Sequence, residues 1–130
     1  MIIIAGPNGV GKTTFAMDYL KIDPRLYLGA DLIAIELIYL FVDSPDLCNK
    51  RIEERVLNGG HFISPEDVAR RFYRSYKNFW KDYRFLVESW SLYYNFNREF
   101  EVVASGKHNA FDILSRDLFK QFEKIKVDHE

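Results

Sequence analysis

Residues 6–14 read Gly6-Pro7-Asn8-Gly9-Val10-Gly11-Lys12-Thr13-Thr14 and satisfy the spacing G-x-x-x-x-G-K-[ST]. An apolar run over residues 1–5 (MIIIA) leads into this stretch and predicts a buried strand; residues 12–20 behind it predict a helix. Strand, glycine-rich loop and helix in that order make an anion trap. Gly6, Gly9 and Gly11 permit backbone conformations that aim successive N–H groups into one concavity. The helix N-terminus adds about half a positive charge. Lys12 is long enough to reach the outer phosphates of a polyphosphate, and the Thr13 hydroxyl is placed to hold Mg²⁺. The nine residues are therefore candidate nucleotide-binding residues, with Thr13 the candidate metal ligand.

Length and composition bound the rest. A chain of 130 residues with 48% apolar and 16% aromatic residues is expected to form one domain over 1–130 with a real core. The formal net charge of −1 gives no global field toward nucleic acid or membrane. The single cysteine, Cys48, forms no internal disulfide and suits a reducing compartment. No apolar run approaches the ~20 residues that cross a bilayer, and residues 1–5 lack the features of a secretory signal. No membrane partner is expected, and the cytoplasm is the default location.

Along the chain, Asp23-Pro24 ends the first helix and Arg25-Leu26-Tyr27-Leu28 predicts a short strand. Asp31 follows at its tip and admits two readings: a base or Mg²⁺-water holder opposite the loop, or a helix N-cap. Residues 35–42 (IELIYLFV) predict a central parallel strand. Only residues 29–34 separate these two strands, whereas a parallel crossover takes about a dozen or more. Either the strands run antiparallel or a segment is missing between Ala34 and Ile35; absence is the favoured explanation.

Ser44-Pro45-Asp46 opens a helix that stops at Asn58-Gly59-Gly60 and carries Arg51 and Arg55 one turn apart. These arginines either pair with Glu53 and Glu54 or form a lid over a triphosphate. Ser64-Pro65-Glu66-Asp67 opens a longer helix with an apolar stripe of Val68, Phe72, Tyr76, Phe79, Tyr83, Leu86 and Trp90. Arg70, Arg74, Lys77, Lys81 and Arg84 form a basic outer stripe, a solvated face that leaves nucleic-acid binding a minor alternative. Arg71 lies at the edge of the apolar stripe, from which a guanidinium can turn inward to a phosphate. Residues 91–96 and 100–104 predict two strands around a turn at Asn97-Arg98-Glu99. A second turn is expected at Ser105-Gly106-Lys107, and a closing helix over 115–125 with Leu118, Phe122 and Ile125 inward. His61, His108 and His129 lack metal-like spacing and are read as structural or exposed.

The blocks IIIAGPNGVGKTTFA (2–16), GADLIA (29–34), LIYLFVDSPDLCNKRIEERVLNGGH (37–61) and PEDVARRFYRSYKNFWKDYRFLVESWSLYYN (65–95) together resemble the zeta toxin family of P-loop kinases. The loop alone is shared by many families; the R-x₃-R, GGH, PED and RRF series is more specific. The resemblance implies an α/β fold: a three-layer, mostly parallel P-loop NTPase/kinase-like sheet with flanking helices, its C-terminal strand and helix at about residues 100–130. It implies ATP or GTP as donor, Mg²⁺ as cofactor and an acceptor such as UDP-N-acetylglucosamine, with an antitoxin protein as a partner of toxin members. By position, Lys12 and Thr13 match the phosphate and Mg²⁺ residues and Asp31 the catalytic base. Arg55 and Arg71 lie in the blocks that supply phosphate-contacting arginines. Family members carry a longer insert after the GADLIA-like block that contributes to the acceptor site; here it is missing, at the same junction as the short crossover. Ser64 resembles a one-residue insertion, and Tyr94-Asn95-Phe96 replaces the usual Asp-Asn-Ser. A remnant that binds nucleotide without transferring phosphate is therefore the alternative. An ATPase of transport or DNA repair shares the GPNGxGKTT wording but calls for a signature helix this chain lacks.

Overall fold

The computed structural model describes residues 1–22 and 35–128. The strand expected at 25–28, the candidate base Asp31 and His129 lie outside them. Among the described residues one five-stranded mixed sheet runs β1 (Ile2–Ala5), β2 (Glu36–Phe41), β3 (Ser89–Phe96), β4 (Glu99–Lys107), β5 (Ala110–Ile113), adjacent in that order. β1, β2 and β3 are parallel, and β4 and β5 continue antiparallel. The expectation of a mostly parallel sheet is thus met only in its first half.

β2 is the central strand that its unbroken apolar run predicts, with Leu37 to Phe41 all buried. Its parallel neighbours are β1, reached through helix α1 (Lys12–Ile22), and β3, reached through α2 (Pro45–Leu57) and α3 (Pro65–Asn78). The short-crossover argument assumed that the strand at 25–28 was a neighbour of β2; both neighbours seen here have long connections. β1 was expected to be buried, yet Ile3 is 40% exposed. Among the described residues β1 pairs only with β2.

Successive strand residues face opposite sides. Tyr39 and Phe41 of β2, in register with Leu92 and Tyr94 of β3, face α3 and the final helix α5 (Arg116–Asp128). Tyr93 faces the other side, where Phe15 of α1 meets it edge-on at 5.0 Å. Helices therefore cover both faces, an α/β arrangement. No helix among the described residues is long and apolar enough to cross a membrane.

Local chemistry explains the elements. Ser64 caps α3 as expected, its hydroxyl accepting from the Asp67 N–H at 3.2 Å. Ser44 stands at the corresponding position of α2 but makes no side-chain capping bond. At the other end of α2, Gly60 N–H reaches the Arg55 carbonyl at 2.7 Å and Gly59 N–H the Val56 carbonyl at 3.0 Å. Those paired bonds close the helix in a Schellman motif.

The long helix departs from expectation. Val68, Phe72, Tyr76 and Phe79 are buried, but Tyr83 and Leu86 are 43% and 75% exposed. A π-helical turn at Phe79–Tyr83 separates α3 from the short α4 (Arg84–Leu86). The wider turn advances the inward position by a residue, so Arg84, expected on the outer stripe, is only 6% exposed. Its guanidinium lies 3.8 Å from the Trp80 ring centroid. It donates to the Trp80 carbonyl, the His108 carbonyl and Asn109 Oδ1, tying the helix to the β4–β5 reversal. Trp90 is buried, though from β3 rather than from a helix. Arg70, Arg74, Lys77 and Lys81 remain exposed, with Arg70 paired to Asp67 at 3.0 Å.

The turn expected at 105–107 is instead part of β4. A Cβ at Gly106 would collide with the Ala110 carbonyl and Phe111, so this glycine marks a close approach of β5, and the reversal falls at His108 (φ 50°). Of the three α5 residues expected inward, Phe122 is fully buried and Leu118 and Ile125 partly so; Phe119 joins them.

Phe122 joins the layers, its ring 5.3 Å from both Phe41 and Tyr76 and 5.6 Å from Trp80. Phe122→Ala is expected to lower unfolding stability by about 3–5 kcal/mol in urea titration. A loss below about 1 kcal/mol would mean that α5 does not close the core as described.

Candidate phosphate-binding site

The three parallel strands end on one side of the sheet: β1 runs into the glycine-rich loop, β2 into Asp43 and α2, β3 into Asn95 and the β3–β4 turn. Ligands of open α/β sheets bind beyond such carboxyl ends. The loop is clasped from two sides. The Arg51 guanidinium of α2 donates to the Gly9 carbonyl at 3.0 Å. The Asn95 Nδ2 of β3 donates to the Val10 carbonyl at 2.9 Å. The fit leaves no room for side chains. Gly9 (φ 82°) lies against the Cys48 backbone, where a Cβ would stand 2.7 Å from the carbonyl oxygen. At Gly11 (φ 103°) a Cβ would stand 2.6 Å from Asn95 Nδ2.

In a trans peptide the carbonyl and the N–H point opposite ways. Capping the Val10 carbonyl on β3 therefore turns the Gly11 N–H away from β3. The Val10 N–H is taken by the Pro7 carbonyl at 3.2 Å. The first intrahelical bond of α1 is from Phe15 to Gly11 at 2.9 Å, so the N–H groups of Lys12, Thr13 and Thr14 precede the helical ladder. That leaves a row of donors beginning at Gly11.

Positive charge is concentrated beside them. The Lys12 ammonium donates to the Gly6 carbonyl at 2.7 Å. Burial lowers its pKa from the ordinary value, and the nearby Arg55 charge acts in the same direction. A cavity of about 730 Å³ adjoins the loop at Gly11 and Thr14. Among the described residues Lys50, Arg51, Arg55 and Arg98 line it against one acid, Glu54. Among the described residues neither Arg51 nor Arg55 forms an ion pair with Glu53 or Glu54. Burial pushes the neighbouring Cys48 thiol up to about 11, against the pull of Arg51 and Lys12, so it supplies no counter-charge.

Of the expected site residues, Gly6, Pro7, Asn8, Gly9, Val10, Gly11, Lys12, Thr13 and Thr14 form the loop and first helical turn, and Arg55 is brought to the adjoining cavity. Arg71 is exposed on α3 and lies outside the cavity lining. Thr13 is exposed at the start of α1; a single hydroxyl suits Mg²⁺, which takes most of its ligands from phosphates and water. Lys50, Arg98 and Asn95 were missed as site residues, and Arg51 received no individual role. A buried-strand asparagine one residue before the end of β3, just ahead of a turn, is the signal Asn95 offered. Searches of family models, curated proteins and solved structures return no match to this chain.

A bound polyphosphate favours the charged form of Lys12 and raises its depressed pKa. Affinity is thus expected to fall as pH rises through the free-state value, and binding in that window takes up protons. Calorimetry with inorganic triphosphate in two alkaline buffers of different ionisation enthalpy is expected to give different heats; equal heats would contradict the assignment to Lys12.

Proposed function

We propose that this chain binds a nucleoside triphosphate, with its phosphates on the glycine-rich loop and its nucleoside end in the adjoining cavity. One observation carries the reading: a loop with its carbonyls capped outward sits against a half-buried lysine and a cavity where, among the described residues, four cationic side chains face one acid. Such a site favours a multiply charged anion, and the cavity has the size of a small-molecule pocket.

The finer reading is a zeta-toxin-like kinase with a P-loop kinase fold, moving the γ-phosphoryl group of ATP or GTP to a hydroxyl of a nucleotide sugar such as UDP-N-acetylglucosamine. Lys12 and Arg55 neutralise charge on the phosphoryl group in flight, and loop N–H groups hold the phosphates in line. Asp31 receives the acceptor proton in this scheme. Mg²⁺, when bound beside Thr13, adds charge neutralisation on the phosphates. A second reading, a nucleotide-binding remnant without transfer, is favoured by the insert that the resemblance implies near residue 34 and that this chain lacks.

Turnover of γ-labelled ATP with UDP-N-acetylglucosamine separates them. Label on the sugar nucleotide supports the kinase; ATP binding without any transfer supports the remnant; no ATP binding removes both. Lys12→Met is expected to weaken Mg·ATP binding by about 100-fold or more, as loss of a half-buried, charge-assisted pair to phosphate. Its unfolding midpoint should hold, because the fold disfavours the ammonium it removes. Unchanged affinity in Lys12→Met would contradict the proposed role of the loop.

A further inference from the structure

Asn95 is 3% exposed, and its amide joins two parts of the molecule that are far apart in sequence. Nδ2 donates to the Val10 carbonyl at 2.9 Å, and Oδ1 accepts from the Arg98 N–H at 2.9 Å. Val10 belongs to the phosphate loop. Arg98 belongs to the two-residue β3–β4 turn, where Asn97 (φ 48°) and Arg98 (φ 69°) both adopt left-handed backbone. Asn95, Asn97 and Arg98 all line the cavity together with Gly11 and Thr14.

We propose that Asn95 is a positioning residue that locks the phosphate loop to the turn carrying Arg98, so that the two ends of a bound nucleotide are held at one fixed spacing. The proposal rests on the nucleotide-binding reading above and adds a specific role to it. The chemistry demands an amide. One side must donate to a carbonyl and the other must accept from an N–H, and only Asn carries both on so short a stem. The orientation is fixed by those partners, since the reversed amide would set oxygen against the Val10 carbonyl and NH₂ against the Arg98 N–H. Burial raises the stakes, because a covered polar group without its partner is costly. Gly11 completes the arrangement: any side chain there would occupy the position of Nδ2.

The link has a consequence for recognition. Phosphate contacts at residues 11–14 would fix the loop; through Asn95 they would also fix the backbone at Arg98, which lines the same cavity. A ligand holding phosphate alone should therefore be felt at the turn.

The discriminating variant is Asn95→Asp, which keeps shape and the acceptor for Arg98 but sets a carboxylate oxygen against the Val10 carbonyl. At neutral pH it is expected to bind Mg·ATP about tenfold or more weakly while retaining its circular dichroism spectrum. As pH falls, protonation of the introduced carboxyl restores a donor, and affinity should recover toward wild type; the wild-type protein shows no such rise. A purely volumetric role for Asn95 would give no pH-dependent rescue. A folded variant with wild-type affinity at neutral pH, or one that stays weak after protonation, would overturn the proposal while leaving nucleotide binding intact. If the variant does not fold, the wild-type protein decides the matter by NMR. Saturating Mg·inorganic triphosphate should shift the Asn95 side-chain NH₂ and Arg98 amide resonances and leave the Asn109 amide at the β4–β5 reversal unmoved. Unshifted Asn95 and Arg98 signals in protein that binds triphosphate would overturn the lock. Wild-type protein that binds neither ATP nor triphosphate would remove the underlying reading and the proposal with it.

Discussion

The Gly9 and Val10 carbonyls need partners outside the loop, and Arg51 and Asn95 supply them. Those two bonds decide much of the rest. They bring α2 and the end of β3 against the loop from opposite sides and leave no space for side chains at Gly9 and Gly11. The Asn95 bond also turns the Gly11 N–H away from β3 and into the site. A glycine-rich loop of this kind is held by its neighbours: without α2 and β3, the glycines would be free to adopt many backbone conformations.

The aromatic layers hold those neighbours in place. Tyr39 stacks on Phe79 at 4.4 Å, and the Tyr76 hydroxyl donates to the Val42 carbonyl at 2.8 Å, so α3 is fixed to the strand that precedes α2. Burial raises the Tyr76 hydroxyl well above its usual pKa, which keeps it a neutral donor. Beside the loop, the Tyr94 hydroxyl donates to Asp43 at 2.7 Å, and burial together with that carboxylate raises its pKa to about 12. The charge of Lys12 is disfavoured where it sits. Stability supplied by the core offsets a site that costs stability, a common division of labour in proteins with preorganised sites.

Legibility in the sequence followed the range of the physics. The glycine-rich loop, the β2 run, the α2 and α3 starts and the α2 stop are set by residues a few positions apart, and each is found where local chemistry puts it. The misplacements involve distant partners. Nothing within residues 79–84 announces a π-helical turn; Arg84 turns inward because Trp80, His108 and Asn109 offer a ring and carbonyls that satisfy a guanidinium. Gly106 resembled a turn residue until β5 supplied the backbone that excludes a Cβ. In the site, the loop and Arg55 were legible as a spacing, but the roles of Arg51 and Asn95 depend on carbonyls 42 and 85 residues away in sequence. Arg71 was placed at the stripe edge by helical periodicity, and α3 leaves it exposed and outside the cavity lining.

The central claim is that the amides from Gly11 to Thr13 are preset to receive a polyphosphate. A crystal structure grown with Mg²⁺ and a non-hydrolysable nucleoside triphosphate tests it most directly. The account predicts phosphate oxygens within hydrogen-bond reach of the Gly11, Lys12 and Thr13 nitrogens, Lys12 moved off the Gly6 carbonyl, and Arg51 and Asn95 still on the Gly9 and Val10 carbonyls. A ligand bound elsewhere, with Lys12 still donating to Gly6, would contradict it.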